Sequence, residues 1–402
     1  MIARQKLDRL RSGIHAGLIL AFLAAPNAVM AQLMMDPYAT AHIEHDSNVF
    51  LVPNSAFQLM ERGFSTLGDS DAKVVAGLNS VYLWSLQSLT ANFEVRRLDY
   101  LHFTDLDHNE YLGDLRLDWK LGSVVDGVLH VREERSAPSF ASNNAIGLTL
   151  NTASNADAKI NLKITPEWRL DAGATYSKLE APLQFYPDFV DREVGTQLGI
   201  RYLGVANLSS GFEFAHIDGD FYNAPEVGPY TQNSGEFKAD YAVSGVSKLN
   251  AGIGYTRRVQ SGNEGTVSGL TGELGYNRQL TGKTALNVQL IRAVNSYVAA
   301  GGSEIDTTAS VGLIWQATYK VGVDLEGSYT HSTFIGQAIP NSVANGRVDH
   351  DKAASLSVKY QAFRKLQFRG YVKSQSRSSV IDEFDFNDTI VGVEAQWHWK
   401  PM

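Results

Sequence analysis

Glu110–Leu121, EYLGDLRLDWKL, separates into two chemically opposite sets when every second residue is taken. Tyr111, Gly113, Leu115, Leu117, Trp119 and Leu121 form one set, and Glu110, Leu112, Asp114, Arg116, Asp118 and Lys120 form the other. A period of two places them on opposite faces of a β-strand. One face is apolar with aromatics near its ends, and the other is almost wholly charged. A transmembrane barrel requires that division, because one face meets lipid and the other meets a watery lumen.

The pattern returns along nearly all 402 residues. Residues 38–50 are predicted as a first strand, with Ala39, Ala41 and Ile43 opposed to Tyr38, Thr40, His42 and Glu44. A polar connection over about 51–72 and a second strand over about 73–84 follow. In the third strand the phase slips near Arg97, which predicts a bulge. The last strand sets Val391, Val393, Ala395, Trp397 and Trp399 against Glu394, Gln396 and His398. The count is eighteen, joined alternately by eight tight turns and nine longer loops. Outer-membrane barrels have short periplasmic turns and longer outer loops, so an even count puts both termini in the periplasm. Outward aromatics mark the strand ends at the short turns (Trp84, Trp119, Tyr202, Tyr241, Tyr276, Trp315, Tyr360, Trp397). A second belt, Tyr176, Phe214, Tyr255 and Tyr329, marks the other interface. The predicted fold is all-β: a transmembrane antiparallel up-and-down β-barrel of about eighteen strands in the outer membrane, occupying 32–402.

Residues 1–31 read as a cleaved signal peptide. Arg4, Lys6, Arg9 and Arg11 precede a short apolar core, Gly17–Ala25, and Val29-Met30-Ala31 supplies the cleavage site before Gln32. The segment holds four bases and one acid, so its removal takes the formal charge from −8 to −11. That balance argues against a nucleic-acid partner. With no cysteine there is no disulfide, thiolate metal site or cysteine nucleophile. No cofactor is expected.

Barrels of 16–18 strands enclose an aqueous channel. The inward set holds both signs. Lumen-lining candidates are Glu94, Arg96, Asp114, Arg116, Asp118, Arg132, Glu134, Lys159, Lys163, Arg201, Lys238, Asp240, Asp324, Glu326, Arg369 and Lys373. They make either a hydrophilic path with little ion preference or ion pairs that merely solvate the wall. The loop aromatics Phe185, Tyr186, Phe189, Phe221, Tyr222 and Tyr230 are candidates to stack on sugar rings, to plug the lumen, or to pack loops together. His42-Ile43-Glu44-His45 is not expected to ligate a metal, because His45 faces away from His42 and Glu44 on a strand. No HExxH, GxSxG or phosphate loop is present. The chain is therefore expected not to be an enzyme. The alternative of a lipase or deacylase in the barrel wall would use His130, His216 or His331 with a serine.

Asp36-Pro37-Tyr38, followed by His45-Asp46-Ser47-Asn48-Val49-Phe50, resembles the start of the EpsL-type exopolysaccharide export barrels. Those proteins open on a tyrosine-bearing strand and a Tyr-Asp-Asp-Asn-Leu-like turn; His45 stands where the family tends to have Tyr. The resemblance implies an outer-membrane pore for a secreted polysaccharide, working beside a periplasmic polysaccharide-export protein and inserted by the barrel-assembly machinery. A diffusion porin for small hydrophilic solutes is the alternative. A porin predicts a loop folded inward as a constriction and steady conduction without a partner. An exporter predicts a pore plugged when idle.

Overall fold

A computed structural model describes residues 32–53, 66–140, 147–182, 189–224, 227–261, 266–297, 302–336 and 346–399. The signal-peptide reading lies outside these residues, as do Phe185, Tyr186 and Lys400–Met402.

Eighteen strands are present. They are β1 Gln32–Asp46, β2 Asp69–Trp84, β3 Gln87–Tyr100, β4 His108–Leu121, β5 Val125–Ser136 and β6 Asn151–Lys163. Next come β7 Trp168–Glu180, β8 Val190–Val205, β9 Leu208–Tyr222, β10 Tyr230–Ser244, β11 Ser247–Gln260 and β12 Thr266–Thr281. The last six are β13 Thr284–Tyr297, β14 Gly302–Gln316, β15 Val321–Ile335, β16 Val348–Phe363, β17 Leu366–Ser379 and β18 Phe386–His398. Each pairs antiparallel with its neighbours in the chain, and β1 pairs with both β2 and β18. The sheet is thus closed, with Tyr38 opposite His398 at one end of the seam and Asp46 opposite Ile390 at the other. The Trp399 N–H donates to the Pro37 carbonyl at 3.0 Å, carrying the seam one residue further.

Closure leaves two faces, and the side chains show which is inside. Leu198, Phe212 and Ile253 keep 66%, 66% and 63% of their surface exposed, with many other apolar residues on the same face. In water such a face would drive association; in lipid it costs nothing. It is the outer face. On Trp168–Tyr176 and Val321–Tyr329 the apolar stretch runs eight residues between its end markers. At a strand rise of about 3.4 Å and a tilt near 40°, that spans about 21 Å, close to the apolar band of outer-membrane barrels. Trp168 and Tyr202 meet at 4.9 Å and Tyr82 and Trp84 at 5.1 Å, beside the short turns. The protein is an outer-membrane β-barrel, with both ends of the sheet on the short-turn, periplasmic side.

The eight short connections contain two to four residues. Register shifts fall beside four of them, at Tyr202/Val205, Tyr241/Ser244, Gln279/Thr281 and Gln361/Phe363. Asn207, in the two-residue turn after β8, takes φ 64°, a left-handed conformation that Asn tolerates. The expected bulge at Arg97 is absent: β3 pairs without a shift through Arg96 and Arg97 to both β2 and β4. Arg97 and Asp99 face outward and pair with each other at 2.5 Å. The strand simply outruns the membrane, so its outer face turns polar. The first strand also begins earlier than expected, at Gln32 rather than 38, and ends at Asp46.

A barrel of eighteen strands at about 4.8 Å spacing and 40° tilt measures roughly 36 Å between opposite backbones. Side chains on its wall cannot fill that width, so the interior is lined rather than packed.

Candidate functional site: the lumen wall and its outer mouth

On an antiparallel wall, inward residues of neighbouring strands stand opposite each other, and inward residues two apart on one strand are also neighbours. Sequence steps such as Glu94/Arg96, Arg116/Asp118, Arg132/Glu134 and Arg169/Asp171 therefore make ion pairs along single strands. Arg96 is the hub of the largest group. It meets Glu94 at 2.7 Å, Glu134 at 3.1 Å and Glu110 at 3.5 Å. Arg132 continues the chain to Glu134 at 2.6 Å and Asp114 at 3.6 Å. His130 bridges Asp114 and Asp157, both at 3.1 Å. Arg116 pairs with Asp118 at 2.9 Å. A network of alternating charge thus crosses β3 to β6.

Further round, Arg201 reaches Asp240 at 2.7 Å and Asp171 at 3.6 Å. Lys238 holds Glu213 at 2.9 Å and Glu236 at 3.4 Å. Asp324 takes Lys359 at 2.7 Å. Arg369 lies over the Tyr371 ring at 5.0 Å. Lys159, Lys163, Lys373 and Glu326 also stand on inward positions of the register, and among the described residues they make no ion pair. The wall therefore carries both signs, many of them paired, with carboxylates the more numerous.

The outer mouth is built differently. Phe189, Phe221 and Tyr230 are buried with Ala181, Ala224 and Val227 in one cluster. These three candidate aromatics pack neighbouring loops and strand ends together. Tyr222 instead faces outward, with the Arg192 guanidinium 4.7 Å from its ring. Val49, Phe50, Val52, Phe103 and Leu106 form a second cluster, which ties the loops after β1 and β3. A third centres on Arg347, which is 1% exposed and pairs with the fully buried Asp349 at 2.7 Å. Its guanidinium lies 4.0 Å from the Phe334 ring and 3.8 Å from Phe384, and donates to Tyr297 Oη at 3.1 Å.

One hairpin leaves the cylinder. The β12–β13 ladder stops at Gly272/Arg292, whereas β11–β12 runs on to Val259/Thr266 and β13–β14 to Tyr297/Gly302. Beyond that point Ser296 of β13 accepts from Arg258 Nη2 of β11 at 2.7 Å and donates to Tyr230 Oη of β10 at 3.1 Å. Both partners sit on inward positions. To reach them, the end of β13 must pass on the lumen side of β12, and Val267 and Val294 are buried where the two cross. The Arg258 guanidinium, 3.4 Å from the Tyr230 ring centre, anchors this end of β13. Gly219 leaves room for this: a Cβ there would fall 1.9 Å from the Tyr230 ring.

Sequence reasoning missed this anchor and the Arg347 cluster. The Arg347/Asp349 step was a visible signal, being the same i, i+2 charge pattern as the lumen pairs.

The histidines considered for catalysis have other partners. His130 sits between two aspartates, His216 bonds Asn233, and His331 faces His350. His42 hydrogen-bonds Tyr371 at 2.5 Å on the inner face, while His45 faces out and bonds Ser70.

The residues that carried the likeness to EpsL-type barrels work locally. Asp36 pairs with His398 at 2.7 Å and Tyr38 donates to Glu94 at 2.5 Å. Asn48 donates to the Val52 and Asn387 carbonyls, and Ser47 to Asp388. The Asp36, Ser47 and Asn48 bonds tie β1 and its turn to β18, and Tyr38 reaches past β2 to β3.

No family model and no curated protein matches the sequence. Among solved structures the chain is similar to OpdK of Pseudomonas aeruginosa, solved with vanillate. The match covers 91% of this chain and 99% of that one at 11% identity, with a TM-score of 0.49. It is also similar to OprD of the same organism, covering 91% and 96% at 13% identity with a TM-score of 0.45. The solved structures it resembles are not EpsL-type export barrels. The expected membership of that family is withdrawn, and with it the exopolysaccharide, its export through this pore and the periplasmic export partner.

Proposed function

We propose that this barrel is a diffusion porin for small hydrophilic solutes. The observation that carries the reading is a wide closed barrel whose inner wall is charged, with the end of β13 drawn inside its outer mouth. The wall gives polar solutes a water-like path. The hairpin and the packed loop clusters set a size limit at the outer end, as a constriction does. Acids outnumber bases on the inward strand positions, so beside the size limit the wall favours cations over anions. The barrel supplies no chemistry to the solute, which moves down its own gradient.

Liposome swelling tests this. Vesicles holding the refolded barrel, placed in isotonic sugars of increasing size, should swell with monosaccharides and progressively less with larger oligosaccharides. Equal impermeability to all of them, with the barrel shown to be folded and inserted, would refute the proposal.

A further inference from the structure

The lipid-facing surface is not electrostatically uniform. From β3 to β9 its outer rim mixes signs: Arg97 pairs with Asp99 at 2.5 Å, Arg192 with Asp220 at 3.5 Å, and Lys178 with Glu180. From β10 round through β18 to β2 no outward strand position carries a carboxylate, by the ladder registers. Four of the cationic and imidazole groups on that arc, Arg292, His331, His350 and Lys352, lie near one another.

Arg292, Thr307, His331 and His350 stand in a single row across β13, β14, β15 and β16. Three strand spacings separate the ends, about 14 Å. Arg292 donates to Thr307 Oγ1 at 2.6 Å and to the Leu270 carbonyl at 3.1 Å, so its guanidinium is held at the gap where β12 and β13 part. The His331 and His350 rings lie 4.8 Å apart. One step toward the membrane, Lys352 stands opposite Tyr329, whose hydroxyl bonds His350 at 2.7 Å. Tyr329 belongs to the outward aromatic belt, so the cluster sits at the head-group level on the side of the long loops. Arg292 and Lys352 are exposed, and neither makes an ion pair among the described residues.

We propose that this cluster is a binding site for the phosphorylated sugar head group of an outer-leaflet glycolipid. An arginine, a lysine and two imidazoles line one stretch of the rim without an acid among them, which is the chemistry that recognises phosphate. The hydroxyls of Thr307 and Tyr329 supply neutral partners for sugar. The height of the site, on the lipid side and above the aromatic belt, excludes a solute in transit through the lumen.

The test is native mass spectrometry of the detergent-solubilised barrel with diphosphoryl lipid A, dephosphorylated lipid A and phosphatidylglycerol. Diphosphoryl lipid A should be retained at concentrations about tenfold lower than either of the others. R292Q/H350Q/K352Q should lose that preference by about tenfold. Because Arg292 also holds a backbone carbonyl, H350Q/K352Q is measured beside it and should lose several-fold. R97Q/K178Q, on the acid-paired arc, should bind as the unaltered barrel does. Equal retention of dephosphorylated lipid A or phosphatidylglycerol, or an equal loss in R97Q/K178Q, would overturn the proposal.

Discussion

Replacing Arg347 with methionine should open the outer mouth locally. Its guanidinium meets Asp349 through three contacts of 2.7–3.0 Å, and both side chains are almost fully buried. Removing Arg347 leaves the buried Asp349 carboxylate with only Arg377 at 3.4 Å and the Ser379 hydroxyl at 2.7 Å, so the cost falls at the lower end for a broken buried pair, about 3 kcal/mol. At about 1.4 kcal/mol per factor of ten, the open population rises roughly 100-fold. The effect should stay local, because Arg347 lies in the connection before β16 and the barrel's own ladders are untouched. Hydrogen–deuterium exchange reads it at the amides of Phe334 and Gly346, which bond across this connection at 2.9 and 3.1 Å. R347M/D349L, which removes both charges, should recover most of the protection; Arg377 keeps Asp351 at 2.8 Å in that variant. Exchange in R347M within threefold of the unaltered barrel would refute the reasoning. Equal damage in R347M/D349L would show that packing, not the stranded charge, controls the mouth.

Further expectations concern the hairpin and the wall. R258A removes the guanidinium that holds Ser296 and covers Tyr230, so it should free the end of β13 and raise single-channel conductance or its noise; unchanged traces would contradict the anchoring role. G219V drives a side chain into the Tyr230 ring and should speed hydrogen exchange between β9 and β10 while leaving β2–β5 unaffected. R96A leaves Glu94, Glu110 and Glu134 without their shared cation. The reversal potential in a potassium chloride gradient should then shift toward cation selectivity, and no shift would show that this network lies outside the conducting path. K159E/K163E, at inward lysines without ion pairs, should shift it in the same direction.

The barrel was legible because its two faces meet different solvents, and a period of two records both of them in every strand. The same alternation placed Glu94, Arg96, Asp114 and Arg132 on one wall. It could not give their partners, since Arg96 takes Glu110 and Glu134 from two other strands and register is set by turns and closure. At Arg97 alternation failed for a simple reason: above the lipid both faces are wet, so polarity no longer marks the inside. The inward turn of β13 was hidden for a related reason, because Val294 and Ser296 keep the outward phase while lying inside the mouth. The export assignment rested on Asp36–Tyr38 and His45–Phe50, residues whose bonds serve seam and turn and carry no information about cargo.

The most direct test of the central claim is single-channel recording of the purified barrel, alone, in a planar bilayer. A diffusion porin should give steady, ohmic steps without any partner, with a cation preference from the carboxylate excess on its wall. A folded and inserted barrel that stays electrically silent would contradict the account.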